Sequence, residues 1–198
     1  MSATDGLKQA NTRNGGRHSM TGAEAPGCGP GISTFFTGCS AAEVGRPPLV
    51  LAKHVDLGRY SGRWYVIANI PYFAERGNVG TYVEYLLLPD GRIADVYHAH
   101  EKSFDAPLTR REGRAYVLPG TSNALWRVTF CWPIHVSYPI IYVDADHRTA
   151  LVGYNDRSLG WVFSRDRDMD EAAYRDPLNR FAGQGCDITT FQRMPRRP

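Results

Sequence analysis

The 198-residue chain contains no run of 18 apolar residues, so no segment of it can cross a bilayer as a helix. It also lacks a strong charge of one sign. The formal net charge of +3 is too slight to imply a nucleic-acid partner. The basic cluster Arg193, Arg196 and Arg197 sits at the very end, where a solvated terminus accounts for it. Cysteine is sparse: Cys28, Cys39, Cys131 and Cys186 show no CxxC or Cys/His ligand spacing, which speaks against structural zinc. GxSxG, HExxH and a glycine-rich phosphate loop are missing as well, so no ready nucleophile–base set or phosphate cradle is legible.

What the chain does have is apolar and aromatic residues, 42% and 12%, enough for a sizeable core. They are unevenly distributed. Residues 1–52 are rich in Gly, Ser, Thr, Ala and Pro without periodicity and read as leader or linker, leaving 53–198 as the folded domain. Within the leader, Phe35-Phe36-Thr37-Gly38-Cys39-Ser40 is similar to a bacterial lipobox, in which the cysteine is acylated and becomes the mature N-terminus. The apolar stretch before Cys39 is shorter than the 7–15 residues usual for a secretory h-region, so a lipid-attachment site at Cys39 and a plain leader both stay open. If the leader is cut there, Cys131 and Cys186 remain, as a disulfide or as free thiols, which spacing alone does not decide.

From Val55 onward the pattern is that of short strands separated by turns. Candidate strands run over 62–70, 81–88, 92–101, 110–118, 125–132, 138–144, 149–154 and 159–164, with turns at Pro89-Asp90-Gly91 and Pro119 to Asn123. Eight such strands with no helix between them predict an all-β, eight-stranded antiparallel up-and-down barrel, closed so that no edge is left unpaired. A barrel of eight strands has room for one small ligand. A helix is expected over about 170–182, with Tyr174, Leu178, Phe181 and Ala182 on one face and packed outside the barrel. Pro177 should kink or shorten it.

Three blocks of sequence resemble the lipocalin family, in particular the bacterial outer-membrane lipocalin and apolipoprotein D group. The first strand carries Gly62-Arg63-Trp64-Tyr65, the family's Gly-x-Trp. Tyr142 to Val152 resembles its second block, and Trp161-Val162-Phe163-Ser164-Arg165 its third. Phe73-Ala74-Glu75-Arg76-Gly77 is similar to the group's first loop. The resemblance covers about residues 53–195 and implies that Arg165 stacks over Trp64 at one barrel end, a cation–π contact. That end, with the tight turns, is the expected floor; the links 71–80, 103–109 and 133–137 are the expected mouth.

Alternation along the strands nominates the interior. Val83 and Tyr85 in the second strand, Trp126, Val128, Phe130 and Trp132 in the fifth, and Trp161 and Phe163 in the eighth are expected to face in, together with Tyr142 and Tyr154. For the third strand the choice between Ile93/Asp95/Tyr97 and Ala94/Val96/His98 stays open. A cavity lined by so many rings suits a small hydrophobic lipid, a fatty acid or lysophospholipid-like molecule, with His98, His100 and His135 as candidates to meet an anionic head group. The resemblance implies storage or transport of such a lipid in the bacterial envelope, at the outer membrane or in the periplasm if the leader is a lipoprotein signal, otherwise in the cytoplasm. No cofactor, no metal and no catalytic residue is expected. The alternatives are a lipocalin-fold enzyme acting on a bound lipid or carotenoid, with Cys131 and His135 as the one conceivable thiolate pair, a haem or pigment carrier ligated by His98 or His100, and a structural module with a filled interior. A homodimer is left open.

Overall fold

The computed structural model describes residues 46–197, and the tentative lipid-attachment residue Cys39 lies outside them. Eight antiparallel strands follow one another: β1 (Gly62–Ile70), β2 (Asn78–Leu87), β3 (Ile93–Glu101), β4 (Leu108–Val117), β5 (Leu125–Cys131), β6 (Ile134–Val143), β7 (Thr149–Gly153) and β8 (Gly160–Ser164). Each pairs with the next, β8 pairs with β1, and β1 pairs with β2, so the sheet closes on itself. This is the closed eight-stranded barrel expected from the sequence, with one long helix after it.

The closure is incomplete along β1. Gly62–Tyr65 pair with Tyr85–Tyr82 of β2, but beyond Tyr65 the two strands part. A short strand near the C-terminus, β9 (Gln192–Arg193), takes up the freed edge opposite Ala68 and Asn69. The next residue, Met194, donates its N–H to the Ile67 carbonyl at 2.9 Å and packs on the inner core. The tail therefore satisfies backbone groups that the diverging strands would leave unpaired.

Two apolar clusters result. The inner one lies within the barrel and includes Trp64, Val66, Val83, Tyr85, Tyr97, Trp126, Val128, Ile140, Val152 and Phe163. The outer one lies between the barrel wall and helix α2 (Glu171–Gly183), joining Ile67, Ala68, Ile141, Leu151 and Val162 to Tyr174 and Phe181. Asp170 caps the helix by accepting from the Ala173 N–H at 2.8 Å. Tyr174 and Phe181 face the barrel with Leu178, as their spacing requires, while Ala182 is exposed. Pro177 does not shorten the helix, which continues for six residues beyond it.

Part of the expected leader packs on the barrel. Leu49 joins the outer cluster, and Val50 exchanges two 3.0 Å hydrogen bonds with the Gln184 side chain beyond the helix. Ala52 donates to the Ile140 carbonyl at 2.9 Å, and Val55, fully buried, donates to that of Ser122 at 3.0 Å. These residues strap the closed end and lead into the one-turn helix α1 (Leu57–Tyr60).

The link expected at 133–137 is mostly strand. Trp132 and Pro133, joined by a cis peptide bond, connect β5 directly to β6, which starts at Ile134. Ile134-His135-Val136-Ser137 alternates apolar and polar residues, a strand pattern that the proline before it obscured. Cys186 is a free, buried thiol, so it forms no disulfide with Cys131.

Candidate functional site in the barrel interior

One end of the barrel is sealed by the two residues that the sequence singled out. The Arg165 guanidinium lies 3.8 Å above the centroid of Trp64. It donates to five backbone carbonyls: Arg63 and Arg59 at 2.6 Å, Ser61 at 2.9 Å, Tyr60 at 3.1 Å and His147 at 3.2 Å. Trp64 Nε1 donates to the Tyr60 carbonyl at 2.7 Å. Gly62 starts β1 at φ +96°, a left-handed conformation that a side chain would strain, and Arg165 passes close by. Folding this turn so tightly is what lets one guanidinium gather the orphan carbonyls of α1.

Above this floor stands a layer of rings. Tyr60 packs on Trp64, Tyr85 and Trp126 with centroids 5.0, 5.6 and 5.3 Å apart. Trp126 stacks on Tyr138 at 5.6 Å and meets Tyr85 edge-on at 5.4 Å. The Tyr85 and Tyr138 hydroxyls share a short hydrogen bond. Burial pushes the pKa values of both phenols, and that of Tyr60, above the ordinary tyrosine value.

Polar groups gather toward the open end. Glu75, in the loop after β1, accepts from Asn69 Nδ2 at 2.7 Å and from Trp161 Nε1 at 3.1 Å. Burial raises its pKa from 4.5 to about 7, against the pull of those two hydrogen bonds. Asn78 Nδ2 donates to the Tyr97 hydroxyl at 2.9 Å. Arg111 stands directly opposite Tyr97 in the β3–β4 register and so shares its inner face; its positive charge acts on Glu75, Tyr97 and Tyr72.

The third strand settles in one register. Ile93, Asp95, Tyr97 and Ala99 face inward. Val96 and Ala94, on the other face, are buried too, so β3 carries no polar side to betray its orientation. Asp95 is thereby placed inside the barrel, only 3% exposed. Burial, and then the charge of Glu75, raise its pKa from 3.8 to about 7.

Of the residues expected to line the interior, Val83, Tyr85, Trp126, Val128, Trp161 and Phe163 all pack in or on the inner cluster. The other four do not. Tyr142 points outward onto the helix, with the Arg180 guanidinium 3.7 Å from its ring centroid. The reason is a bulge: Ile140 pairs with Val152 but Tyr142 with Leu151, so the extra residue Ile141 reverses the alternation. A second irregularity separates Val128 from Cys131, leaving Phe130 51% exposed at the rim, its ring pressed on Gly113 where any side chain would collide. Trp132 lies in the turn beyond β5 and is 79% exposed. Tyr154 falls past the end of β7, in the turn before β8.

The histidines leave the interior as well. His98 faces outward, stacked on Tyr82 and bonded to Glu84 at 3.1 Å; His100 bonds the Ala106 carbonyl at 2.6 Å; and His135 bonds Thr129. His98 and His100 stand on the wall's outer side, so neither can ligate a pigment held within. His135 bonds the Thr129 hydroxyl and not Cys131, so the conceivable thiolate pair is not assembled. Tyr60, Tyr97, Tyr138, Glu75 and Asp95 are the interior residues that alternation missed. Glu75 sat within the quoted loop block, and Asp95 and Tyr97 within one of the two open readings of β3.

The barrel, its plug and its terminal helix coincide with a known family. The sequence profile described as "Lipocalin-like domain" matches residues 55–196. The chain belongs to the lipocalin-like family. It is 31% identical over 155 residues to temperature-induced lipocalin-1 of Arabidopsis thaliana, covering 74% of this chain and 82% of that protein. It is 28% identical over 147 residues to the outer membrane lipoprotein Blc of Escherichia coli K12, covering 73% and 82% respectively. Among solved structures, insecticyanin from the tobacco hornworm Manduca sexta superposes with a TM-score of 0.62 at 15% identity, over 77% of this lipocalin and 86% of that chain. Membership supports binding and transport of a small hydrophobic ligand and agrees with a role other than catalysis.

Proposed function

We propose that this lipocalin holds and carries a small lipid-like amphiphile, of fatty-acid or lysophospholipid type, inside its barrel. The observation that carries the reading is the contrast along the barrel axis. One end is stoppered by Trp64 and Arg165, and the other presents Phe130, Trp132 and Leu108 as exposed apolar side chains around the opening. A ring-lined wall between them suits an apolar body, and Arg111 on the inner face near Glu75 suits an anionic group lodged at the mouth.

The name of the Blc relatives, outer membrane lipoproteins, supports the cell envelope as its site of action, reached through acylation of Cys39. Titration with a fluorescent fatty acid should quench Trp126 and Trp161 and be reversed by lysophospholipid. No quenching and no displaceable signal would remove the lipid reading. Mass spectrometry of protein from its own host should find acyl chains on Cys39, whereas a mature chain still carrying Met1 would refute anchoring.

A further inference from the structure

Among the inward-facing polar groups, Asp95 stands apart. Glu75 is held by Asn69 and Trp161, and Asn78 by Tyr97. Asp95, only 3% exposed, has neither a hydrogen bond nor an ion pair among the described residues. A carboxyl group so placed forfeits most of its hydration, an arrangement that native interiors rarely keep unless something else supplies the partner. Its surroundings are specific. Tyr85 lies opposite it on β2 and Gly113 opposite it on β4, where the Phe130 ring packs in place of a side chain. The negative charge of Asp95 acts on the phenols of Tyr60, Tyr85 and Tyr138. The Tyr60 hydroxyl is itself buried without a partner, an independent sign that the ring layer is built to meet a polar group.

We propose that Asp95 and the rings of Tyr60, Tyr85, Trp126 and Tyr138 form a subsite for a protonated amine or quaternary ammonium group on an otherwise apolar ligand. A buried carboxylate with no counter-ion attracts a cation, and the electron-rich faces of tyrosine and tryptophan add to that attraction. A metal ion is a poorer occupant, because no group of three or more metal-capable side chains is found among the described residues. A carboxylate entering head first meets repulsion from both Asp95 and Glu75, which leaves Arg111 near the mouth as its place. The subsite thus rests on the reading that the barrel holds a small amphiphile, and it names the end that enters first.

Four ligands sharing one twelve-carbon chain separate the two ideas: dodecanol, dodecylamine, dodecyltrimethylammonium and dodecanoate, each competed against a fluorescent apolar probe on the full chain. The measurement is made at mildly alkaline pH, where Asp95 is ionised and the amine still charged. The two cations should bind about tenfold or more tightly than dodecanol, and dodecanoate no better than dodecanol. Asp95→Asn should abolish the preference for the cations over dodecanol. Dodecanol bound as well as the cations by the wild type, or a preference that survives in Asp95→Asn, would overturn the subsite and leave the lipid reading standing. If no member of the series binds, the lipid reading fails and takes the subsite with it. Should the amide variant not fold, Asp95→Leu replaces it, and the wild-type comparison between cation and alcohol decides by itself.

Discussion

The two ends of the barrel treat polar groups in opposite ways. At the closed end the backbone is met: Arg165 gives its donors to five carbonyls, Trp64 donates to that of Tyr60, and the strap from Leu49 to Val55 adds further bonds, although both His147 ring nitrogens stay buried without a partner. Farther in, the Tyr60 phenol is buried with no partner, the Asp95 carboxyl is 3% exposed, and at the rim large apolar side chains stand in solvent. Saturated hydrogen bonding gives rigidity, and unsatisfied burial costs stability. The difference separates the part of the chain that keeps the barrel shut from the part that has something left to bind.

The largest blow to that contrast is Trp64→Ala. It removes a fully buried ring that supports Tyr60 and Arg165, and should cost about 3–5 kcal/mol in chemical denaturation. A melting temperature close to that of the wild type would mean that the floor is not the stabilising end.

Next in size is the pH dependence of stability. In the folded chain Asp95 and Glu75 keep their protons up to about pH 7, against ordinary values of 3.8 and 4.5. Over that window the folded state binds more protons than the unfolded chain, so stability is greatest below it and falls as pH rises toward 7. Each group can contribute at most about 1.4 kcal/mol per pH unit. Asp95→Asn should flatten the slope and leave the variant about 1–4 kcal/mol more stable than the wild type above pH 7. An unaltered slope in urea titrations across the window would show that Asp95 finds a partner in solution.

Smaller again is Tyr142→Ala. Outside the barrel and under Arg180, Tyr142 helps to dock helix α2, so its loss should cost about 1–2 kcal/mol and leave ligand affinity alone. A weakened affinity in the competition assay would return Tyr142 to the interior, where strict alternation had put it.

That reversal shows which features a sequence can carry. Gly62, Trp64 and Arg165 are legible because a fixed backbone turn and a ring beneath a guanidinium leave few substitutes. Strand number and the position of the plug are legible because turns have their own chemistry. The facing of Tyr142 is not, because one bulge reverses the later side chains and leaves no mark in composition. Asp95 is hidden for another reason. Both faces of β3 are buried, so the strand lacks the polar side by which an orientation is read, and the inner face then carries the charge.

The finest probe is Trp132→Ala. Trp132 is 79% exposed at the rim and touches only the His135 ring among the described aromatic contacts, centroids 5.8 Å apart. Removing it should change stability by no more than about 0.5 kcal/mol, as for surface substitutions generally. Its position at the opening nonetheless lets it cover the outer end of a bound chain, so affinity for a long-chain probe should fall a few-fold through faster dissociation, by about 1 kcal/mol. Stopped-flow displacement from the variant and the wild type measures that rate. Equal dissociation rates would make the apolar rim incidental to binding, and the contrast between the two ends would then be one of stability alone.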